Sequence, residues 1–152
     1  MLKKLFSPAN ESSSANCALL VLRLWLGLTI LLNHGWGKLS KFQSMSGSFA
    51  DPLGIGHTAS LSLAVFAEVV AALLLILGLF TRFGALVLSI NMAVAFIKVH
   101  HLALKGDHSG ELAFIYLAGF IAILLAGPGR FSLDSKLFAA KAAPAKSKPD
   151  RK

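Results

Sequence analysis

The sequence predicts an all-α fold, a four-transmembrane-helix bundle with both termini in the cytoplasm. Of its 152 residues, 55% are hydrophobic and 14% are charged, whereas a soluble domain has about 25% charged residues. The mean hydropathy of +0.69 also indicates an apolar chain. Four membrane spans of roughly 20 residues each would use about 80 positions of it. These values exclude a water-soluble globule.

Apolar runs bounded by turn signals set the order of the predicted elements. We expect a polar N-terminal segment at 1–16, followed by a four-helix domain at 17–130. Within that domain the predicted spans are 17–36, 60–80, 83–100 and 110–126. The polar stretch 37–57 is expected to be a loop because its Pro and Gly residues break helices. Residues 131–152 predict a short interfacial helix and then a basic, disordered tail.

The cationic residues orient the bundle. The formal net charge of +8 comes from 15 Lys and Arg against 7 Asp and Glu. One side of the membrane receives Lys3, Lys4, Arg82, Arg130, Lys136 and the tail cations, and the other receives Lys38, Lys41, Lys98 and Lys105. The heavier side faces the cytoplasm by the positive-inside rule. Because these cations stand at span ends, we expect them to face membrane lipid, and we expect no nucleic-acid partner.

A thiol-based mechanism within this chain is excluded. Cys17 is its single cysteine, so the chain has no intrachain disulfide, no Cys-x-x-Cys pair and no thiolate cluster.

The main polar residues in the interior of the predicted spans are Arg23, Glu68 and Asn91. An ionisable side chain near the bilayer centre costs about 2.5–3.5 kcal/mol and therefore needs a partner. Arg23 and Glu68 lie in the first two spans at depths that differ by roughly 8 Å, which a long Arg side chain could largely bridge. Asn91 of the third span lies between them in depth. We expect a buried polar cluster of Arg23, Glu68 and Asn91, which either fixes helix register or lines a ligand or proton path.

All five histidines fall on the non-cytoplasmic side of this topology. We expect a ligand site there for a quinone or similar amphipathic molecule, formed by His34, Lys38, His100 and Glu111. His and Lys donate hydrogen bonds to a carbonyl oxygen, while neighbouring aromatic residues pack against a ring and tail. The plainer interpretation is that amphipathic imidazole rings sit at the level of the lipid headgroups.

Metal and haem interpretations of the same histidines are weaker. A metal site would use His108 and Glu111 with His100 or His101, but only one such i, i+3 pair exists and adjacent histidines on a helix point about 100° apart. A bis-histidine haem would use His34 with His100 or His101. We expect no metal site and leave haem open.

Several short motifs resemble the DoxX family of small four-helix membrane proteins. They are RLWLG at 23–27, HGWGK at 34–38, Glu68 followed by LGLFTR at 77–82, Met92, Ala95 and His100, Gly110-Glu111, and GPGRFSLD at 127–134. Together these motifs cover most of the predicted bundle in the family's order. The resemblance implies a redox-associated protein of the bacterial inner membrane, since the family includes subunits of a thiosulfate:quinone oxidoreductase. It also includes a mycobacterial member that joins a membrane oxidoreductase complex.

The first functional hypothesis is therefore a quinone-linked accessory subunit of a membrane oxidoreductase system. The alternatives are a non-enzymatic scaffold that recruits a soluble redox enzyme through the 81–82 hairpin or the tail, and a small proton-coupled carrier that uses Glu68 and Arg23. Whether the chain is itself an enzyme, and whether it forms a homo-oligomer, stay open at this point.

Overall fold

The computed structural model describes residues 12–138, and every regular element within that range is helical. Helix α1 spans Ser13–Ser40, α2 is the short Phe42–Met45, α3 spans His57–Leu77, α4 Thr81–Val99, α5 Glu111–Ala126 and α6 Leu133–Phe138. The predicted all-α fold is confirmed for this part of the chain. The predicted basic tail and most of the N-terminal segment lie outside the described residues.

Three of these helices are long and apolar enough to cross a membrane. They are α1, α3 and α4, with 28, 21 and 19 residues, while α5 is a shorter apolar helix. Large apolar side chains such as Trp25, Trp36 and Leu125 point outward and are exposed, as expected for a surface that faces lipid. The chain is therefore a membrane protein with several apolar helices.

Helix α1 is longer than the predicted span at both ends. At its start the Ser12 hydroxyl accepts a hydrogen bond from the Ala15 amide at 3.3 Å, an N-cap that hydropathy does not register. At its other end α1 continues to Ser40, although we expected a loop from residue 37. That expectation gave Gly37 too much weight as a helix breaker, because a glycine inside a helix lowers its stability by only about 1 kcal/mol. As a result, Lys38 stands on a helix rather than in a loop.

Long helices that follow one another along the chain run antiparallel. Helix α4 packs mainly on α5, and α1 packs on α3, around a core of fully buried residues that includes Ile30, Leu75, Leu88, Phe120 and Ile123. We call the end with the tight α3–α4 turn the hairpin end. The opposite end, with the α2–α3 and α4–α5 connections, is the loop end.

Each of the three long helices contains a π-helical segment. These segments are Leu31–Gly35 in α1, Phe66–Ala71 in α3 and Ala95–Val99 in α4. Wide π-helical turns are rare and are frequently found at functional sites. The segments in α3 and α4 contain residues of the cavity described next.

Candidate functional site

The candidate site is centred on the buried carboxylate of Glu68 on α3. Lys38 of α1 donates from Nζ to Glu68 Oε2 at 2.5 Å, and Asn91 of α4 donates from Nδ2 to Glu68 Oε1 at 3.2 Å. The side chains of Lys38 and Glu68 are only 20% and 6% exposed. Each charge therefore offsets the other in a region where a lone charge is costly.

A close approach of α1 to α3 makes this ion pair possible. A Cβ at Gly35 would lie 2.5 Å from the carbonyl oxygen of Glu68, so only glycine fits there without moving the helices. Lys38 follows three residues later and lies on the same face of α1. At Gly37 a Cβ would meet nothing within 4 Å. The first glycine of the HGWGK motif thus brings Lys38 within reach of Glu68.

The three side chains lie at the polar end of a cavity of about 470 Å³, which is within the usual size of a small-molecule site. Its remaining wall is almost entirely apolar and comes from α3, α4 and the loop before α3. This wall includes Leu63, Phe66, Val87, Ile90, Val94, Phe49, Pro52 and Leu53. A mostly apolar volume with a few polar groups at one end suits an amphipathic ligand.

Asp51 anchors the loop that forms one wall of the cavity. Its carboxylate accepts hydrogen bonds from the amides of Ile55 and Gly56 at 3.0 and 2.8 Å and from the Ser60 hydroxyl at 2.7 Å. These hydrogen bonds, that of Ser60 foremost, lower the pKa of Asp51 from its ordinary value. The loop is thereby tied to the start of α3. Sequence reasoning saw turn signals here but assigned the loop no part in a site.

Arg23 lies elsewhere, and its predicted pairing with Glu68 is corrected. The fully buried guanidinium donates from Nη2 to the carbonyl oxygen of Phe131 at 2.6 Å and from Nη1 to that of Leu75 at 3.5 Å, both at the hairpin end. The depth argument assumed that this side chain extends toward the bundle centre. Instead, Gly78, whose φ is 67°, leaves room for it at the hairpin end.

Asp134 completes a second buried polar group at that end. Its carboxylate accepts from the amides of Phe80 and Thr81 at 2.7 and 2.8 Å, which caps the start of α4. The Asp134 amide donates to the Gly78 carbonyl at 2.8 Å. We call Arg23, Gly78 and Asp134, with the segment 127–134, the hairpin lock. The sequence analysis quoted this segment as a motif without a role for Asp134.

The structure does not bring His34, Lys38, His100 and Glu111 together around the cavity. Of these four residues only Lys38 lines it. The His34 ring meets the Tyr116 ring of α5 edge-on, with centroids 6.2 Å apart. His100 Nδ1 lies 2.9 Å from the His108 carbonyl oxygen. Glu111 is exposed at the start of α5. The side chains grouped by a shared membrane side therefore face different neighbours.

The histidines also do not gather into a metal centre in the described part of the chain. Between residues 12 and 138 no group of three or more His, Cys, Asp or Glu side chains is arranged to hold a metal ion. The cavity groups, Lys38, Glu68 and Asn91, include a single carboxylate.

Comparisons with known proteins agree with the motifs. The DoxX family profile matches residues 18–101. An uncharacterized protein of Haemophilus influenzae is 38% identical over 115 residues, which cover 69% of this chain and 80% of that protein. An uncharacterized membrane protein of Mycobacterium tuberculosis is 29% identical over 133 residues, or 79% of this chain and 81% of that protein. No solved structure matches the chain.

Proposed function

The chain belongs to the DoxX family of membrane proteins, and we propose that it is a quinone-linked accessory subunit of a membrane oxidoreductase system. The observation that carries this proposal is the apolar cavity of about 470 Å³ with Lys38, Glu68 and Asn91 at its polar end. A quinone has the same division between a polar ring edge and an apolar body.

The polar end offers complementary partners to both redox forms of such a ligand. The Lys38 ammonium donates hydrogen bonds and suits the carbonyl oxygen of a quinone. The Glu68 carboxylate and the Asn91 carbonyl accept hydrogen bonds and suit the hydroxyl of a quinol. The Asn91 amide nitrogen already donates to the Glu68 carboxylate at 3.2 Å, so the two side chains are close enough for one ring edge to reach both. In this proposal the site keeps Lys38 from the expected set and takes Glu68 and Asn91 in place of His34, His100 and Glu111.

We also propose four membrane spans with both termini in the cytoplasm of a bacterium, in the inner membrane. The 16 residues of α5 rise about 24 Å, close to the hydrocarbon thickness of about 30 Å. The cation distribution then puts the loop end outside. Fusion of green fluorescent protein or alkaline phosphatase after Lys152 tests this topology. We expect a fluorescent fusion and an inactive phosphatase, whereas an active phosphatase would reverse the orientation.

An accessory role also requires a partner that supplies the redox reaction. We propose a soluble redox enzyme that docks at the hairpin end, where Arg82 and Arg130 would meet the cytoplasm. Chemical crosslinking in intact cells, followed by purification of the chain, should recover such a protein. Recovery of lipids alone, with no oxidoreductase, would contradict the accessory role and leave the ligand assignment to its own test.

Quinone retention tests the ligand assignment directly. Protein is extracted into lipid nanodiscs, and the bound quinone is measured per folded molecule by solvent extraction and chromatography. We expect the wild type to retain quinone and Lys38→Gln and Glu68→Gln each to lose at least tenfold. His100→Ala and Glu111→Gln are the controls, because neither residue lines the cavity. Equal retention in all five proteins, or loss only in the controls, would contradict the site.

A further inference from the structure

The cavity has an opening on the side of the bundle. Three residues of its wall, Leu63 and Phe66 of α3 and Ile90 of α4, are also part of the outer surface. They are 54%, 41% and 56% exposed. A side chain that both lines a cavity and faces the surroundings marks its mouth. The cavity therefore opens sideways, between α3 and α4.

This opening lies at the depth of the lipid tails. Ile90 stands midway along α4, and Phe66 begins the π-helical segment in the middle of α3. The middle of a membrane-spanning helix lies in the hydrocarbon layer, which is about 30 Å thick. The mouth is thus bordered by lipid rather than water.

At the loop end the cavity has a wall that is tied to the bundle, in which Leu53 is 50% exposed. Phe49, Pro52 and Leu53 form a wall there, and Asp51 ties this loop to α3 through the Ser60 hydroxyl at 2.7 Å. The His57 ring nitrogen Nδ1 lies 2.6 Å from the Phe49 carbonyl oxygen and gives the loop a second attachment. A ligand that is dissolved in the membrane would therefore meet an open side, whereas one dissolved in water would meet a fixed loop.

We propose that the cavity holds the ring of a long-tailed, membrane-dissolved quinone at Lys38, Glu68 and Asn91, with its tail leaving between α3 and α4. The inference rests on the proposed function and adds the class of quinone and the path of its tail. A cavity of about 470 Å³ accommodates a ligand of ordinary drug size. A tail of many isoprenoid units exceeds that volume, so it must continue outside through the mouth into lipid, where its burial costs nothing.

The test separates the ring from the tail. Ile90→Trp narrows the mouth, Leu53→Trp enlarges a side chain of the loop wall, and Ile121→Trp is a matched control on an exposed position of α5 outside the cavity. Each protein is reconstituted in nanodiscs and its equilibrium occupancy is measured with ubiquinone carrying its full tail and with the tail-less ubiquinone ring. Size-exclusion chromatography checks folding, and Ile90→Phe serves as the smaller replacement if Ile90→Trp fails to fold.

We expect Ile90→Trp to lower occupancy by the long-tailed quinone at least fivefold and to keep that of the tail-less ring within twofold. Ile121→Trp should keep the long-tailed occupancy near the wild-type value, whereas Leu53→Trp fills part of the cavity itself and should change the occupancy of the two ligands by the same factor. The tail path is overturned if Ile90→Trp leaves both ligands unchanged, if it lowers both equally, or if only Leu53→Trp excludes the long tail. A wild type that binds neither ligand would instead contradict the proposed function itself.

Discussion

The hairpin end and the middle of this bundle each bury charged side chains, but they surround them differently. At the hairpin lock, Arg23 and Asp134 are fully buried and make hydrogen bonds to backbone carbonyls and amides of neighbouring elements. In the middle of the bundle, Glu68 accepts hydrogen bonds from both Lys38 and Asn91, and all three side chains face a cavity.

That difference separates a structural role from a binding role. Polar groups that are enclosed by close packing and bonded to backbone atoms are not accessible to a ligand, and they join elements that are distant in sequence. A charged pair that faces an open, apolar volume keeps donors and acceptors that a ligand can engage. We therefore assign stability mainly to the hairpin lock and ligand binding to the Lys38–Glu68 pair.

The largest effect is expected at the hairpin lock. Asp134→Ala removes the acceptor of the buried Thr81 amide and of the partly buried Phe80 amide, together with a negative charge that interacts with Arg23. We expect the free energy of unfolding to fall by about 4 kcal/mol, since each unsatisfied buried donor costs about 1–3 kcal/mol. Thermal unfolding in nanodiscs, followed by size-exclusion chromatography, measures this loss of stability.

Lys136→Ala, an exposed change on the same helix, is the control. Quinone retention per folded molecule should stay constant, and a fall in retention at full stability would contradict the division of roles.

A double-mutant cycle at the Lys38–Glu68 pair comes next. Lys38→Met or Glu68→Gln alone leaves one buried charge unpaired, and we expect each to cost about 2–3 kcal/mol after allowance for the partial exposure of Lys38. The double variant should recover most of that loss because no lone charge remains. Quinone retention should stay low in all three proteins. If retention returned together with stability in the double variant, the pair would only fix the register of the helices.

The glycines of α1 give a smaller and more local test. Gly35→Ala inserts a Cβ 2.5 Å from the Glu68 carbonyl oxygen and should push α1 away from α3, which costs about 1–3 kcal/mol for overpacking. Separation of Lys38 from Glu68 should also reduce quinone retention severalfold. Gly37→Ala is the matched control, because its Cβ meets nothing within 4 Å. Similar retention in the two variants would show that the close approach at Gly35 does not position Lys38.

The smallest effect concerns pH and the loop wall. Hydrogen bonds lower the pKa of Asp51 below its ordinary value of 3.8, so its ionised form is favoured in the folded loop. A group with a lowered pKa contributes its stability above the ordinary value and loses it as pH falls through the folded value. We expect the loop to stay closed at neutral pH and to loosen below pH 3.8.

A fluorescent label reports this change. Leu53→Cys, labelled with bimane in a Cys17→Ser background, should shift its emission toward that of a water-exposed dye only in acid. Adding Asp51→Asn should produce part of that shift at neutral pH. An emission that is independent of both acid and Asp51 would contradict the anchoring role of this carboxylate.

Much of the fold could be predicted from the sequence because it depends on local patterns. The apolar runs predict the positions of the long helices, and the Gly-Pro-Gly at 127–129 predicts the end of α5. The family was predicted from the motifs and is confirmed by the profile match. The bounds of α1 were missed because an N-cap at Ser12 and a helix that tolerates Gly37 leave no hydropathy signal.

The site was only partly predictable, since helical depth does not say which way a long side chain extends. Glu68 and Asn91 were grouped from their depths, but Arg23 was assigned to Glu68 although Lys38 occupies that place. The sequence did carry a signal for this: Gly35 and Lys38 stand three residues apart in one motif, so that a close helix contact and a cation share one face. The loop wall at 49–53 has no comparable signal, because loop packing depends on contacts outside its own sequence.

By itself, the sequence determined that this protein belongs in a membrane, that it is helical, that it is a DoxX-family chain, and that a few interior polar residues need partners. Only the tertiary structure decided which partners they have. Hydropathy and helical period act over a few neighbouring residues and can be read along the chain. Positions that are distant in sequence form the Lys38–Glu68 pair, the hairpin lock and the sideways opening of the cavity. Those contacts depend on how closely whole helices approach, as at Gly35 and Gly78.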